Sequence, residues 1–131
     1  MTMLRRALQA FAAVYAGCGV ALMIMPRWIL VDWFHQPVYV DYTYVRVAGA
    51  MSLGLAMFAV MVGRRDDAWW WAWGFAVVTA LCGTITALHA LLDLPADGGV
   101  FLWWLFAAAS VVLTVWLVLG LTRASQDNPI A

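Results

Sequence analysis

The chain contains four long apolar segments, at 7–25, 45–62, 68–92 and 100–121. Each is close to the length of about 20 apolar residues that an α-helix needs to cross a bilayer. The runs do not alternate between polar and apolar positions, as the strands of a membrane barrel would. Because lipid cannot hydrogen-bond an exposed backbone, such segments span membranes as helices. The pattern predicts an all-α membrane protein, an antiparallel bundle of four transmembrane helices in a single domain, 1–131.

The connection between the first and second predicted helices has a pattern of its own. At about 100° per residue, the side chains of 27–36 separate into a polar and an apolar half of a helical wheel. The polar half comprises Arg27, Asp32, His35 and Gln36, and the apolar half comprises Ile29, Leu30, Trp33 and Phe34. This pattern is typical of a short helix that lies in the membrane interface, and Pro37 is expected to end it.

Two further patterns predict which helix faces point into the bundle. Polar side chains recur every three or four positions along the third helix, on one face that should avoid lipid. This polar stripe comprises Thr79, Cys82, Thr86, His89 and Asp93, and Ser110 and Thr114 form a shorter pair on the fourth helix. Small residues have the spacing that permits close helix contact at Ala13 and Gly17, and at Ala50 and Gly54.

The distribution of arginine predicts the orientation of the bundle. Five arginines, Arg5, Arg6, Arg64, Arg65 and Arg123, lie on one side, whereas Arg27 and Arg46 lie towards the other. The positive-inside rule then places both termini in the cytoplasm. Tryptophans cluster at both ends of the predicted helices, at 69–73 on the inner side and at Trp28, Trp33, Trp103 and Trp104 on the outer side. Two such belts are expected where indole rings meet the headgroups.

Composition agrees with a membrane protein and excludes some functions. Hydrophobic residues make up 66% of the chain and charged residues 11%, whereas soluble domains have about half apolar and about a quarter charged residues. A chain this small could not hide so much apolar surface from water. The charges balance and form no basic patch, so no nucleic-acid partner is expected. All of them are Arg or Asp, which suggests a bacterial origin and therefore the inner membrane.

The outer half of the bundle collects most of the candidate chemistry. The polar stripe ends there in His89 and Asp93, and Arg46 enters the second helix at about the same depth. Asp41 is off the helix face of Arg46, so Asp93 is the expected partner of the arginine. We expect a ligand pocket in the outer leaflet, roofed by 27–36. Its candidate ligand-binding residues are Arg46, His89, Asp93, Thr86 and Tyr42. In the purely structural alternative, Arg46, His89 and Asp93 only lock the helices together.

Three ligand classes remain open for this pocket. His89 and Asp93, with His35, offer the two imidazoles and one carboxylate of a metal site. His35 and His89 could instead ligate a haem, although His35 lies in a connection rather than in a spanning helix. Arg46 could pair with an anionic headgroup or with a polar quinone-like molecule.

The second predicted helix opens with Arg46-Val-Ala-Gly-Ala-Met-Ser-Leu-Gly54, and a short Arg64-Arg65 turn and an apolar hairpin follow. These features resemble small bacterial four-helix membrane proteins of the DoxX-like and BphX-like kind, over nearly the whole chain in layout. The resemblance implies a compact bundle in the inner membrane and an accessory or partner role. It implies no catalytic residue.

The sequence thus favours a non-enzymatic accessory or scaffolding protein of the bacterial inner membrane, with no cofactor, that binds a lipid or small amphiphile near Arg46. The alternative is a redox subunit that uses His89 and Asp93 with a metal or haem. A small transporter is third, since the chain lacks the intramembrane Glu of four-helix drug exporters. Membrane lipid is the expected partner, and another membrane protein or a second copy of the chain remains open.

Overall fold

A computed structural model describes residues 2–92 and 100–127, and this part of the chain is helical, without a β-strand. The helices are α1 (Thr2–Ile24), α2 (Thr43–Gly63), α3 (Ala68–Trp71), α4 (Trp73–Leu92) and α5 (Val100–Asp127). The single turn of α3 continues into α4, so that Ala68–Leu92 forms one of four spans long and apolar enough to cross a membrane. The all-α, four-helix membrane bundle predicted from the sequence is confirmed.

Two helices extend well beyond their predicted bounds. α1 begins at Thr2 rather than at position 7, and α5 continues to Asp127 rather than ending at 121. Hydropathy marks the part of a helix that lies in hydrocarbon, whereas backbone hydrogen bonding continues into polar turns. Arg5 and Arg6 can therefore belong to α1 because their side chains extend towards water from a helix end.

The helices are paired as two hairpins. α1 packs against α2, α4 packs against α5, and the hairpins meet along α1 and α5. The largest fully buried side chains lie near the chain termini and include Leu4, Leu8, Phe11, Leu117 and Leu121. We call this end of the bundle the termini side, and the opposite end, which carries the connection between α1 and α2, the connection side.

Glycines permit the closest helix contacts. A Cβ on Gly19 of α1 would lie 2.6 Å from the carbonyl oxygen of Gly49 in α2. On the termini side, a Cβ on Gly120 of α5 would lie 2.9 Å from the Cα of Leu4. Both distances are shorter than real Cβ contacts, so only glycine fits at these crossings without moving the backbone.

The predicted small-residue contacts are wrong. Gly17 and Gly54 have open space where a Cβ would stand, and Ala13 and Ala50 are exposed. The actual crossing uses Gly19, which is two positions from Gly17 and therefore about 200° around the helix. In helices rich in Ala and Gly, four-residue spacing occurs on several faces, so the spacing alone does not identify the contact.

The connection forms a short π-helical segment, Trp28–Trp33, rather than a regular helix over 27–36. Its backbone hydrogen bonds include one from Phe34 N–H to the Ile29 carbonyl, at 3.1 Å. The segment ends before Pro37 because His35 has a φ of 52°, in the left-handed region that helices do not continue. Ile29 is buried against the bundle, as its position on the apolar half predicted.

Candidate functional site

An open groove of about 490 Å³ lies on the connection side. Its lining comes from the connection (Leu30, Gln36 and Tyr39), from α4 (Ile85, Thr86, Leu88, His89 and Leu92) and from α5 (Trp103). The groove therefore lies beneath the 27–36 segment, where the sequence analysis expected a pocket. Two of the predicted ligand-binding residues, Thr86 and His89, belong to its lining.

The polar stripe of α4 faces the bundle interior, as predicted. Thr79 and Thr86 are buried, and Cys82 and His89 are half-buried. Asp93, the last member of the stripe, lies outside the described residues. The Thr86 hydroxyl donates to the Cys82 carbonyl at 2.7 Å. Since a hydroxyl can also accept, Thr86 can still offer an acceptor to the groove while its own donor is satisfied.

Nearer the termini side, the polar stripe of α4 joins α4 to α5 and does not line the groove on the connection side. The Thr114 hydroxyl donates to the Thr79 hydroxyl oxygen at 2.8 Å, and the Thr79 hydroxyl donates to the Ala76 carbonyl at 3.0 Å. Ser110 is buried beside Gly83, where a Cβ on the glycine would lie 3.1 Å from the serine Cβ. This part of the stripe has a structural role.

Edge-to-face aromatic contacts connect Phe34 of the connection, Trp103 of α5 and His89 of α4. The Trp103 ring meets the Phe34 ring edge-on, with centroids 5.0 Å apart, and meets the His89 ring at 4.6 Å. The Trp103 Nε1–H is shielded from solvent and has no hydrogen-bond acceptor among the described residues. Such a group is uncommon, because burial of an unpaired donor is unfavourable.

The tryptophan pattern predicted that Trp103 belongs to a membrane belt and did not indicate its place in the site. A helical wheel could have found it. Trp103 shares a face with Ala107, Ser110 and Leu117, all buried, whereas the neighbouring Trp104 is 40% exposed.

Arg46 and Tyr42, both predicted to bind ligand, do not line the groove. The Tyr42 ring packs edge-on against the groove residue Tyr39, with centroids 6.0 Å apart. The Tyr42 hydroxyl accepts a hydrogen bond from the Tyr39 backbone N–H at 3.3 Å. Tyr42 therefore supports the groove through Tyr39.

Arg46 is exposed, and its charge makes a minor contribution to the electrostatics of Asp41. The Asp41 carboxylate accepts hydrogen bonds from the Thr43 hydroxyl at 2.6 Å and the Thr43 N–H at 2.9 Å. These bonds, assisted by Arg46, lower the pKa of Asp41 below its usual value. Asp41 precedes α2, which begins at Thr43, and no ion pair joins it to Arg46 within the described residues. Asp93, the expected partner of Arg46, lies outside those residues.

The groove brings together fewer titratable groups than the metal and haem hypotheses required. His35 is exposed and does not line the groove with His89, and Asp93 is outside the described residues. Within 2–92 and 100–127, no three His, Cys or carboxylate side chains are grouped as metal ligands would be.

Ion pairs between Arg5 and Asp66 and between Arg65 and Asp67 lie at the surface on the termini side. Asp67 accepts hydrogen bonds from Arg65 Nε at 2.6 Å and from Trp71 Nε1 at 3.1 Å. Mainly because of these bonds, the pKa of Asp67 falls to about 2. These contacts organise the turn between α2 and α3.

No protein-family model, curated protein or solved structure matches this chain. The resemblance to DoxX-like and BphX-like proteins therefore stays a prediction.

Proposed function

We propose that this multi-pass membrane protein is a non-enzymatic accessory or scaffolding protein that binds a lipid or another small amphiphile in the connection-side groove. The size of the groove supports this, because about 490 Å³ lies within the range of about 300–1,000 Å³ typical of small-molecule sites. Its lining is mostly apolar, with a few polar groups that can orient a ligand. The ligand site is thus centred on His89 and Trp103 rather than on Arg46.

The position of the groove favours entry from the bilayer. Ile85, Leu88 and Leu92 line it and are also exposed on the surface of α4. The groove wall is therefore continuous with a surface that faces lipid in a spanning helix. An acyl chain can lie along these side chains while a polar group reaches Thr86 or His89. This continuity is the observation that carries the proposal.

Groove filling tests the proposal. Ile85→Trp should occupy part of the groove and reduce the amount of co-purified lipid, because the indole covers apolar surface that the ligand would contact. Leu81→Trp is the matched control, since Leu81 is exposed one turn away on α4 and does not line the groove. Native mass spectrometry of both variants measures lipid retention. Equal retention in Ile85→Trp, Leu81→Trp and wild type would refute binding in this groove.

We further propose the bacterial inner membrane as the location, with both termini in the cytoplasm. The arginine distribution supports this orientation. Reporter fusions at the two termini should be active only if the reporter works in the cytoplasm.

The alternative redox role of His89 and Asp93 is tested by elemental analysis and a visible spectrum of the purified protein.

A further inference from the structure

The unpaired donor of Trp103 restricts the chemistry of the ligand. Its Nε1–H is shielded from solvent and has no acceptor in the described chain, and Trp103 is one of the residues that line the groove. Within a bilayer there is little water to replace the missing partner, so such a donor favours any ligand that brings an acceptor. The ligand should therefore present an oxygen acceptor to Trp103.

The other lining residues restrict the ligand's charge. The groove lining given by the described residues contains no Arg, Lys, Asp or Glu. Its polar groups besides Trp103 are the side chains of Gln36, Tyr39, Thr86 and His89. A full negative charge would have no permanent countercharge here and would lose its hydration, which is unfavourable. The groove is better suited to an uncharged polar group.

The depth of Trp103 agrees with a carbonyl acceptor. Trp103 lies in the first turn of α5, which begins at Val100, and so lies close to the end of the span. Tryptophans at such positions sit at the headgroup level, where the ester carbonyls of lipids also lie. A carbonyl at this depth can meet the indole N–H while the attached chains follow the apolar surface of α4.

Building on the proposed function, we propose that the groove binds an uncharged amphiphile through a carbonyl oxygen that accepts a hydrogen bond from Trp103 Nε1, once the indole turns this N–H, which is shielded from solvent in the structure, towards the groove. Two sources carry this chemistry, an ester carbonyl of a diacylglycerol-type lipid and a ring carbonyl of a quinone. Both combine a neutral head with long apolar chains. The ester carbonyl can be removed without adding a hydrogen-bond donor, in the corresponding ether, whereas reduction of the quinone carbonyls gives hydroxyls that donate.

A comparison of matched ligands tests this proposal. The full chain, stripped of endogenous lipid in detergent, is incubated separately with dioleoylglycerol, with its dioleyl ether analogue and with a decyl-substituted benzoquinone. Native mass spectrometry gives the occupancy of each. The wild type should bind the ester about threefold to tenfold more tightly than the ether, the ratio that one net hydrogen bond supports. A stronger preference for the benzoquinone would identify the quinone as the carbonyl source.

Trp103→Phe keeps an aromatic ring and removes only the N–H. It should abolish the preference for ester over ether while both ligands still bind. Trp104→Phe is the matched control, because Trp104 is 40% exposed and lies outside the groove lining, so the preference should be unchanged. In a nitrogen–proton NMR spectrum, the indole signal lost in Trp103→Phe should move downfield on addition of the ester to wild type.

The outcomes separate the two proposals. Equal affinity of wild type for ester and ether, or an unchanged preference in Trp103→Phe, would overturn the carbonyl contact and leave groove binding intact. Failure of all three probes to bind wild type would count against the proposed function itself. If Trp103→Phe does not fold, the ester-to-ether ratio of wild type still decides the proposal.

Discussion

The two ends of the bundle differ in how tightly their side chains pack. On the termini side, large side chains such as Phe11 and Leu117 are fully buried, and α5 contacts α1 closely at Gly120. On the connection side, the backbone is irregular around His35, a groove remains open and the N–H of Trp103 has no acceptor among residues 2–92 and 100–127. Packing at one end can support an opening at the other. This division suggests that stability and ligand binding can be changed separately by mutation.

The largest expected effect comes from the core on the termini side. Phe11 is fully buried, stacks on Tyr15 with ring centroids 4.1 Å apart and meets Phe75 edge-on at 5.0 Å. Phe11→Ala should lower the free energy of unfolding by about 3–5 kcal/mol because it leaves a cavity and removes these contacts. Unfolding in detergent with a denaturing surfactant measures the loss.

Phe101→Ala serves as the control for Phe11→Ala, since the Phe101 side chain is 75% exposed near the start of α5. Its effect should be well under about 1 kcal/mol, as for other exposed positions. A similar loss in both variants would show that the termini side is not the stabilising half, and the comparison between the two ends would fail.

A smaller effect is expected where α5 meets α1. Gly120→Ala places a Cβ 2.9 Å from the Cα of Leu4, so the helices must separate. We expect a loss of about 1–3 kcal/mol, the usual result of overpacking. Gly74→Ala is the control because a Cβ there meets nothing within 4 Å. It should stabilise α4 slightly, since Ala favours helix by up to about 1 kcal/mol over Gly. The same unfolding measurement should therefore give opposite signs for the two variants, and equal signs would contradict the contact.

Much of the fold could be predicted from the sequence because a bilayer imposes simple requirements. Four apolar runs of sufficient length identified the four spans, and a period of three and four residues identified the inward face of Thr79 and Thr86. Both signals are local and depend only on the contrast between lipid and polar groups. Helix ends were less accurate because the helical backbone continues past the hydrocarbon boundary, as in α5.

The candidate site was predicted only in part because it depends on contacts between distant segments. His89 and Thr86 were found through the stripe, and a helical wheel gives the inward face of Trp103, but its contact with Phe34 depends on how distant segments pack. Arg46 was favoured because charge is costly in lipid, yet it is exposed beside Asp41 and outside the groove. A charged side chain is unfavourable in lipid, so its presence in a predicted span calls for an explanation. Its presence alone does not identify a ligand site.

The smallest expected effect concerns the charged turn on the termini side. The pKa of Asp67 is about 2, below the ordinary value of 3.8, mainly because Arg65 and Trp71 donate hydrogen bonds to its carboxylate. A lowered carboxyl pKa in the folded state stabilises the fold above the ordinary pKa, and that stabilisation is lost as the pH falls towards 2. Because Asp67 is at the surface, the effect on stability should be small and sensitive to salt.

Arg65→Gln removes the charge and the bidentate contact and should raise the pKa of Asp67 towards 3.8. The pKa of Asp41, which is lowered mainly by Thr43 at the opposite end of the bundle, should not change. Carboxyl carbon NMR signals followed between about pH 1.5 and 6 report both groups, since the interval brackets the ordinary carboxyl range. A shift of Asp41 in this variant would mean that the two ends are coupled electrostatically. If only Asp67 responds, its pairing with Arg65 is local to the turn between α2 and α3.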